Sequence, residues 1–141
     1  MKLSTRARYG ILVMVDIAVN GADHLVLARE IAGRQAISQK YLEQILAQLR
    51  NSDLLEAERG SKGGYRLSRP ASEIRLDEAF EALEGRLSPV DCLVDPLVCD
   101  RSTECVAREL WDEMTNAMRG VLRAKTLEDL KKRWEEIHRR A

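Results

Sequence analysis

Aromatic residues are scarce in this sequence. One Phe, two Trp and three Tyr occur among 141 residues, a composition that suits a helical core of aliphatic side chains better than a β-sandwich. No apolar run approaches the roughly 20 residues of a membrane-spanning helix, and the first residues lack the apolar segment of a signal peptide. We therefore expect a cytoplasmic protein with one domain, or one small domain with an appended arm.

Sequence features of enzymes are also missing. The two histidines, His24 and His138, lie far apart in the chain, no nucleophile–base arrangement is visible, and no glycine-rich nucleotide loop follows a strand. The net charge is zero, but residues 1–70 hold 11 Lys and Arg against 7 Asp and Glu, whereas residues 71–141 hold 12 against 16. A modestly basic front half suits the binding of a polyanion. Together with the missing enzyme features, this leads us to expect a binding protein and not an enzyme.

One segment, residues 37–50, has the pattern of a DNA-recognition helix. Ser38 is a good N-cap. Apolar residues at helical spacing predict a buried face: Leu42, Ile45, Leu46 and Leu49. The opposite face is predicted to carry polar groups suited to the major groove, where amides pair with adenine, a carboxylate accepts from cytosine and Lys reaches guanine or phosphate. These groups are Gln39, Lys40, Glu43, Gln44 and Gln48.

The segments before this helix complete a helix-turn-helix. A first helix capped by Ser4 or Thr5 is predicted to run to about Asn20, with Arg6 and Arg8 in its first turn. These cations oppose the helix dipole, which suits contacts with phosphates. A short helix over 27–35 then precedes a tight turn into the recognition helix, the order of a helix-turn-helix.

A β-hairpin is predicted directly after the recognition helix. Alternating residues on both sides of a glycine-rich tip indicate two short strands, and the tip carries Arg59 and Lys62 together with Gly60, Gly63 and Gly64. Glycines let backbone N–H groups and nearby cations approach a phosphate chain closely. A hairpin in this place is a wing, and the three pieces together predict DNA binding.

The rest of the chain reads as three helices and one loop. A fourth helix is predicted from about Asp77 to Glu84, ending at Gly85. A long helical pattern over 105–124 has an apolar stripe that either packs on the front domain or pairs with a second copy: Val106, Leu110, Met114, Ala117, Met118 and Val121. A capping box at Thr126–Asp129 opens a last helix with its own apolar stripe: Leu127, Leu130, Trp134 and Ile137.

All three cysteines lie in one loop, with the spacing Cys-x6-Cys-x5-Cys: Cys92, Cys99 and Cys105. Clustered thiols suit soft metals and iron–sulfur clusters, and this spacing is too wide for a zinc knuckle. A fourth ligand would come from a carboxylate (Asp95, Glu104 or Glu109), from another subunit or from an exogenous group. The alternative is that the thiols oxidise directly without a metal.

These motifs in combination resemble, over essentially the whole chain, the iron–sulfur-dependent winged-helix repressors typified by IscR, with NsrR and RirA as relatives. The resemblance rests on residues 1–10, on residues 37–44 of the recognition helix, on residues 59–67 of the wing, and on the cysteine loop continuing into residues 105–111. It implies a homodimeric transcriptional regulator, in which the long helix forms the dimer interface and the cysteines hold a 2Fe–2S cluster.

The resemblance also implies which residues meet DNA, and it has two departures. The implied DNA-binding residues are Ser4, Arg6, Tyr9, Ser38, Gln39, Lys40, Tyr41, Glu43, Gln44, Arg59, Gly60, Lys62, Gly63 and Gly64. Of these, Glu43 occupies the position that in IscR helps to choose between classes of DNA site. IscR has one residue fewer between its first two cysteines, and it has a histidine where this chain has Arg108. NsrR-type proteins use an acidic ligand from the first helix, where this chain has Arg8 and, further along, Asp16.

The expected architecture is mainly α-helical with a small β-hairpin. Residues 1–85 form a winged helix-turn-helix DNA-binding domain, residues 86–104 a cluster-binding cysteine loop, and residues 105–141 the dimerisation helix and a C-terminal helix. The expected function is a homodimeric repressor that binds palindromic double-stranded DNA and senses iron–sulfur status. A nitric oxide- or iron-responsive regulator with a 4Fe–4S cluster, and a metal-free cysteine-redox regulator, are the alternatives.

Overall fold

The computed structural model describes residues 2–140, and in this range the chain forms six α-helices and one β-hairpin. The elements are α1 (Thr5–Asn20), α2 (Ala28–Gln35), α3 (Gln39–Asn51), β1 (Leu55–Glu58), β2 (Gly64–Leu67), α4 (Leu76–Glu84), α5 (Val106–Arg123) and α6 (Leu127–Arg139). Short 3-10 turns cover Ala71–Glu73, Asp91–Leu93 and Pro96–Val98. The predicted winged helix-turn-helix with a long C-terminal helix is confirmed.

The ends of the helices follow the capping residues of the sequence. Ser4 accepts a hydrogen bond from the backbone N–H of Ala7 at 3.0 Å, and Ser38 accepts one from that of Tyr41 at 3.2 Å. At the start of α6, the Asp129 carboxylate accepts from the backbone N–H of Thr126 at 2.8 Å. Each cap satisfies a donor that has no partner within the helix. The predicted starts of α1, α3 and α6 are therefore confirmed.

The hairpin is antiparallel, with Leu55 opposite Leu67 and Glu58 opposite Gly64. Val26, in the turn between α1 and α2, exchanges two backbone hydrogen bonds with Tyr65 at 2.9 and 2.8 Å. This bridge attaches the base of the wing to the helix-turn-helix. The orientation of the wing relative to α3 is therefore held by the backbone.

The hydrophobic core is built mainly from the first four helices and the base of the wing. Fully buried side chains include Met14 and Ile17 of α1, Ile31 of α2 and all four predicted inner residues of α3. From α6, Leu127 is fully buried, while Trp134 and Ile137 are 38% and 50% exposed. The predicted apolar stripe of α6 is thus buried only at its first turn, because α6 runs along α1 at the edge of the core.

Helix α5 leaves most of its surface uncovered. It packs mainly on α4 and on the 3-10 turn Asp91–Leu93. Of its predicted apolar stripe, Met118 packs against the core, but Val106, Leu110, Met114 and Val121 are 84%, 52%, 41% and 59% exposed. Most of the stripe is therefore not covered by the front domain. No helix within residues 2–140 combines the length and hydropathy needed to cross a membrane.

Candidate DNA-binding surface and cysteine loop

Helix α3 presents the polar face that its sequence predicts. Its inner residues are fully buried, so this side of the helix packs against the core. Gln39, Lys40, Glu43 and Gln44 are all exposed. The Gln39 amide lies 3.5 Å from the Glu43 carboxylate, which leaves these groups essentially open to solvent. This face offers the donors and acceptors that major-groove base edges require.

Gln48 does not belong to this exposed face, and its predicted placement there is wrong. Its side-chain Nε2 donates to the backbone carbonyls of Ala82 at 2.7 Å and Leu83 at 3.3 Å, in the last turn of α4. Gln48 lies at the edge of the buried side of α3, one turn beyond Gln44. Helical periodicity predicted an exposed Gln48 because it takes no account of partners that lie more than thirty positions away in the sequence.

The first turn of α1 lies beside the start of α3. The ring of Tyr9 meets that of Tyr41 edge-to-face, with centroids 6.3 Å apart, an arrangement that aromatic pairs prefer. Both tyrosines are half-buried, whereas Arg6 and Arg8 are exposed. The hydroxyl of Ser4 donates to the carboxylate of Glu84. The cations of α1 are thus free for phosphates, while Ser4 and the two tyrosines position the helices.

The tip of the wing depends on its glycines. Gly60 has a φ of +104°, which favours a residue without a side chain. Gly63 is buried, and a Cβ there would lie 2.2 Å from the backbone oxygen of Glu58. Arg59 and Lys62 are exposed at this tip. The glycines therefore shape a tight turn that projects two cations, as the sequence predicted; Gly63 and Gly64 themselves are buried.

An ion pair between a buried carboxylate and a partly exposed guanidinium joins α1 to α2, and the sequence did not predict it. The Asp16 carboxylate, with only 2% of its side chain exposed, accepts from Arg34 Nη2 at 2.7 Å and Nε at 2.9 Å. Gln35 Nε2 donates to the same carboxylate at 2.9 Å. The hydrogen bond with Asp16 raises the pKa of Arg34. Asp16 is therefore engaged in hydrogen bonds within its own chain.

The cysteine loop is ordered by backbone and side-chain hydrogen bonds. Cys92 lies in the 3-10 turn Asp91–Leu93, Cys99 follows Pro96–Val98, and Cys105 is the N-cap of α5. The buried hydroxyl of Ser102 donates to the carbonyls of Pro96 at 2.7 Å and Cys99 at 2.8 Å. Cys99 is exposed and the other two thiols are half-buried.

Arg108, which stands where IscR has a histidine, links the two ends of this loop. Its guanidinium donates to the backbone carbonyl of Cys92 through Nη2 at 3.2 Å and Nε at 3.3 Å. A cavity of about 380 Å³ beside Cys105 is lined by acidic side chains as well as Arg108: Glu104, Glu109 and Asp112. Arg108 thus holds the first cysteine against the start of α5.

The cysteine loop, which lies within the described residues, has the donor chemistry of a cluster site, but its side chains do not surround a single metal ion. Three clustered thiols have the chemistry that an iron–sulfur cluster requires. Within residues 2–140, however, no three His, Cys, Asp or Glu side chains converge in the way that a metal ion needs. This finding concerns a site for a single metal ion; a cluster needs thiolates spread around several irons. Asp95, one predicted fourth ligand, accepts from the backbone N–H of Leu97 at 3.0 Å through Oδ1.

The model of the Rrf2 family, described as iron-dependent transcriptional regulators, matches residues 3–133. The chain belongs to the Rrf2 family. It is 39% identical over 130 residues to the protein rrf2 of Nitratidesulfovibrio vulgaris, covering 92% of this chain and 87% of that protein. It is 37% identical over 130 residues to the transcriptional regulator CymR of Bacillus subtilis, covering 92% of this chain and 89% of that one.

Two solved structures of Rrf2-type regulators share the fold. T. potens IscR matches with a TM-score of 0.79 at 32% identity, covering 97% of this chain and 90% of the other. CymR, the global cysteine regulator of B. subtilis, matches with a TM-score of 0.77 at 35% identity, covering 94% and 97%. The predicted resemblance to the IscR type is confirmed. This Rrf2-family protein is a transcriptional regulator, and its relatives include both an IscR and a CymR.

Proposed function

We propose that this protein is a homodimeric DNA-binding repressor of the cytoplasm, in which the state of Cys92, Cys99 and Cys105 controls binding to a palindromic operator. The observation that carries the proposal is the exposed polar face of α3, flanked by the cations of α1 and of the wing tip. In this arrangement, the polar side chains of α3 read the base edges, and the cations of α1 and of the wing tip hold the phosphates.

The roles of individual side chains follow from their exposure. Gln39, Lys40, Glu43 and Gln44 meet base edges or nearby phosphates, and Arg6, Arg59 and Lys62 meet phosphates. Ser4, Tyr9, Ser38 and Tyr41 hold α1 and α3 in position beside the DNA, and Gly60, Gly63 and Gly64 shape the wing. Residues 1–85 thus act as the DNA-binding domain, 86–104 as the sensing loop and 105–141 as the dimerisation part.

The exposed stripe of α5 supports the homodimer. Val106, Leu110, Met114 and Val121 form one continuous apolar face at helical spacing, and such a face on a regulator suits pairing with a second copy. Two copies related by a two-fold axis would present two α3 helices to two half-sites.

For the sensor, we propose an iron–sulfur cluster, 2Fe–2S by resemblance to IscR, with the three cysteines as ligands. Support comes from the donor chemistry and from the match to an iron-dependent family. The fourth ligand of the cluster is a carboxylate (Asp95, Glu104 or Glu109), a group of the second copy or an exogenous ligand. A 4Fe–4S cluster with nitric oxide or iron as the signal is the alternative.

A metal-free cysteine sensor is the second candidate, and one observation favours it. Cys99 is exposed, and Cys92 and Cys105 are half-buried. The similarity to CymR, a global cysteine regulator, also supports a function in which the thiols themselves respond. Exposed thiols are open to oxidation.

DNA binding is tested by fluorescence anisotropy with an operator library across a series of salt concentrations. We expect an affinity that falls steeply as salt rises, because phosphate contacts release counterions. Lys40→Gln should weaken binding and reduce the salt slope by about one, whereas Lys132→Gln, the same change at an exposed site on α6, should alter neither. Equal effects of the two substitutions would contradict the assignment of α3.

The sensor is tested by anaerobic purification, an absorbance spectrum, and iron and sulfide assays on the same sample. Thiolate-to-iron bands with bound iron and sulfide establish the cluster, and the band pattern separates 2Fe–2S from 4Fe–4S. Replacing any one of the three cysteines by Ala should abolish those bands and leave a folded dimer. A colourless protein after reconstitution, whose DNA affinity responds to peroxide, would establish the thiol sensor instead.

The dimer is tested by analytical ultracentrifugation of Leu110→Lys. A charge in the middle of the α5 stripe should shift the protein towards monomer, because a lone buried cation is costly. Ala22→Lys, which adds the same charge in an exposed turn, should remain dimeric. A wild-type protein that is monomeric at tens of micromolar, or a Leu110→Lys variant that pairs like wild type, would contradict the proposed interface.

A further inference from the structure

The last turn of α4 is bonded to both helices that meet the DNA. The backbone carbonyls of Ala82 and Leu83 belong to the last turn, where a helix lacks its own N–H donors, and both accept from Gln48 Nε2 of α3. The orientation of the Gln48 amide is unambiguous because a carbonyl can only accept, so the nitrogen must face it. A shift of this turn must therefore move Gln48 or break both hydrogen bonds.

Helix α1 is attached to the same turn. The Ser4 hydroxyl donates to the Glu84 carboxylate, and Leu83 packs so closely on Gly10 that a Cβ at Gly10 would lie 2.4 Å from its Cδ2 atom. At Gly85, with a φ of +83°, the chain leaves α4 and enters the cysteine loop. The last turn of α4 thus joins α1, α3 and the cysteine loop at one place.

The first turn of α4 is attached to the far end of α5. The backbone N–H of Leu76 donates to the carbonyl of Lys125 at 3.0 Å. The buried carboxylate of Asp77 lies 3.5 Å from Arg123 Nε, in the last turn of α5. Helix α4, the cysteine loop and α5 therefore form a closed ring. Because both helices are rigid, a change in the shape of the loop acts on the ends it joins, the last turn of α4 and the first turn of α5.

We infer that Gln48 is a positioning residue through which the shape of the cysteine loop sets the orientation of the base-reading face of α3. The inference rests on the proposed function, in which the cysteines control DNA binding. Gln48 lies one turn beyond Gln44 on the same helix, so a rotation of α3 at Gln48 is transmitted along the helix to the exposed groups. Gln48 therefore determines how much the affinity for the operator differs between two states of the cysteine loop.

The test compares operator binding by the full-length protein in two states of the loop. One state is reduced and metal-free, and the other is alkylated by iodoacetamide at all three cysteines, as verified by mass. In wild type we expect the two dissociation constants to differ by about fivefold or more. Gln48→Met keeps the side-chain length but removes the hydrogen-bond donor. In this variant, the ratio of the two dissociation constants should fall to within about twofold of one, because the loop is no longer coupled to α3.

Gln44→Met is the matched control, since it makes the same change one turn earlier on the exposed face. It should weaken binding in both states and keep the wild-type ratio. If Gln48→Met kept the wild-type ratio of dissociation constants, the inference would be overturned but the proposed control by cysteines would stand. A wild-type ratio of one would overturn both the inference and the proposed control by cysteines.

Hydrogen exchange of wild type gives a second measurement that needs neither DNA nor a substitution. Alkylation of the cysteines should change exchange at the amides of residues 48–51, in the last turn of α3, while the amides of α2 remain as they were. Unchanged exchange over 48–51 would overturn the inference even if Gln48→Met failed to fold. In a folded Gln48→Met variant, the response of residues 48–51 should be lost.

Discussion

The ion pair between Asp16 and Arg34 predicts an unequal response to loss of its two members. The Asp16 side chain is 2% exposed, whereas that of Arg34 is 39% exposed. Removing Arg34 leaves a carboxylate in the core, but removing the charge of Asp16 leaves a guanidinium that water can reach. We therefore expect Arg34→Met to lower the free energy of unfolding more than Asp16→Asn does.

The magnitude follows from the partners that remain. A buried charge left without its counter-ion costs ~3–5 kcal/mol, and the lower end applies because Gln35 and Asn20 still donate to Asp16. Asp16→Asn loses charge-assisted hydrogen bonds worth ~1.5–3 kcal/mol, and the exposure of Arg34 reduces this towards ~1–2 kcal/mol. The two variants should thus differ by about 1–2 kcal/mol.

Urea unfolding followed by far-UV circular dichroism measures this difference, with all variants at one protein concentration because association would add to stability. Arg29→Met, at an exposed site on the same helix, is the control and should stay within about 0.5 kcal/mol of wild type. Equal losses for Arg34→Met and Asp16→Asn, or the reverse order, would refute the reasoning from burial.

Three further predictions concern the wing, the recognition helix and the last helix. Gly63→Ala places a Cβ 2.2 Å from a backbone carbonyl and should cost ~1–3 kcal/mol in thermal unfolding, while Gly33→Ala, whose Cβ meets nothing within 4 Å, should be neutral or stabilising. Glu43→Ala should relax base preference by ~1–3 kcal/mol at one position, and an unchanged ranking of an operator library would contradict this. Hydrogen bonding from the backbone N–H of Thr126 lowers the pKa of Asp129, so its capping stabilises the fold above the ordinary carboxylate pKa and is lost as pH falls below it. The stability difference between wild type and Asp129→Asn should therefore shrink on acidification, and a difference independent of pH would show that the charge of Asp129 adds nothing to the cap.

The ends of helices that are marked by capping residues were predictable from the sequence to within about a residue. Ser4, Ser38 and Thr126 cap helices where the sequence places caps, and Gly85 ends α4. These residues act on backbone groups within three or four positions, so the pattern of neighbours contains the information. The exposed face of α3 at Gln39–Gln44 was predictable for the same reason, because its buried residues recur at helical spacing.

Contacts between distant residues were not predictable. Asp16 reads as one acidic residue in an apolar helix until α2 brings Arg34 to it. Gln48 reads as a surface amide until α4 packs beside α3. In each case helical periodicity gives the direction of a side chain, but the packing of another element decides what it meets.

The cysteine loop shows the same limit at the site that matters most for function. Spacing identifies Cys92, Cys99 and Cys105 as a set, but it says nothing about the loop conformation, which hydrogen bonds from Ser102 and Arg108 determine. The loop tip and the start of α5 also expose large apolar side chains, with Leu97 at 90% and Val106 at 84%. Covering such surface stabilises by about 25 cal/mol per Å² of apolar area. A second copy paired along α5 would cover part of this surface, and in doing so it would place the cysteine loop next to the surface that sets the spacing of the two recognition helices.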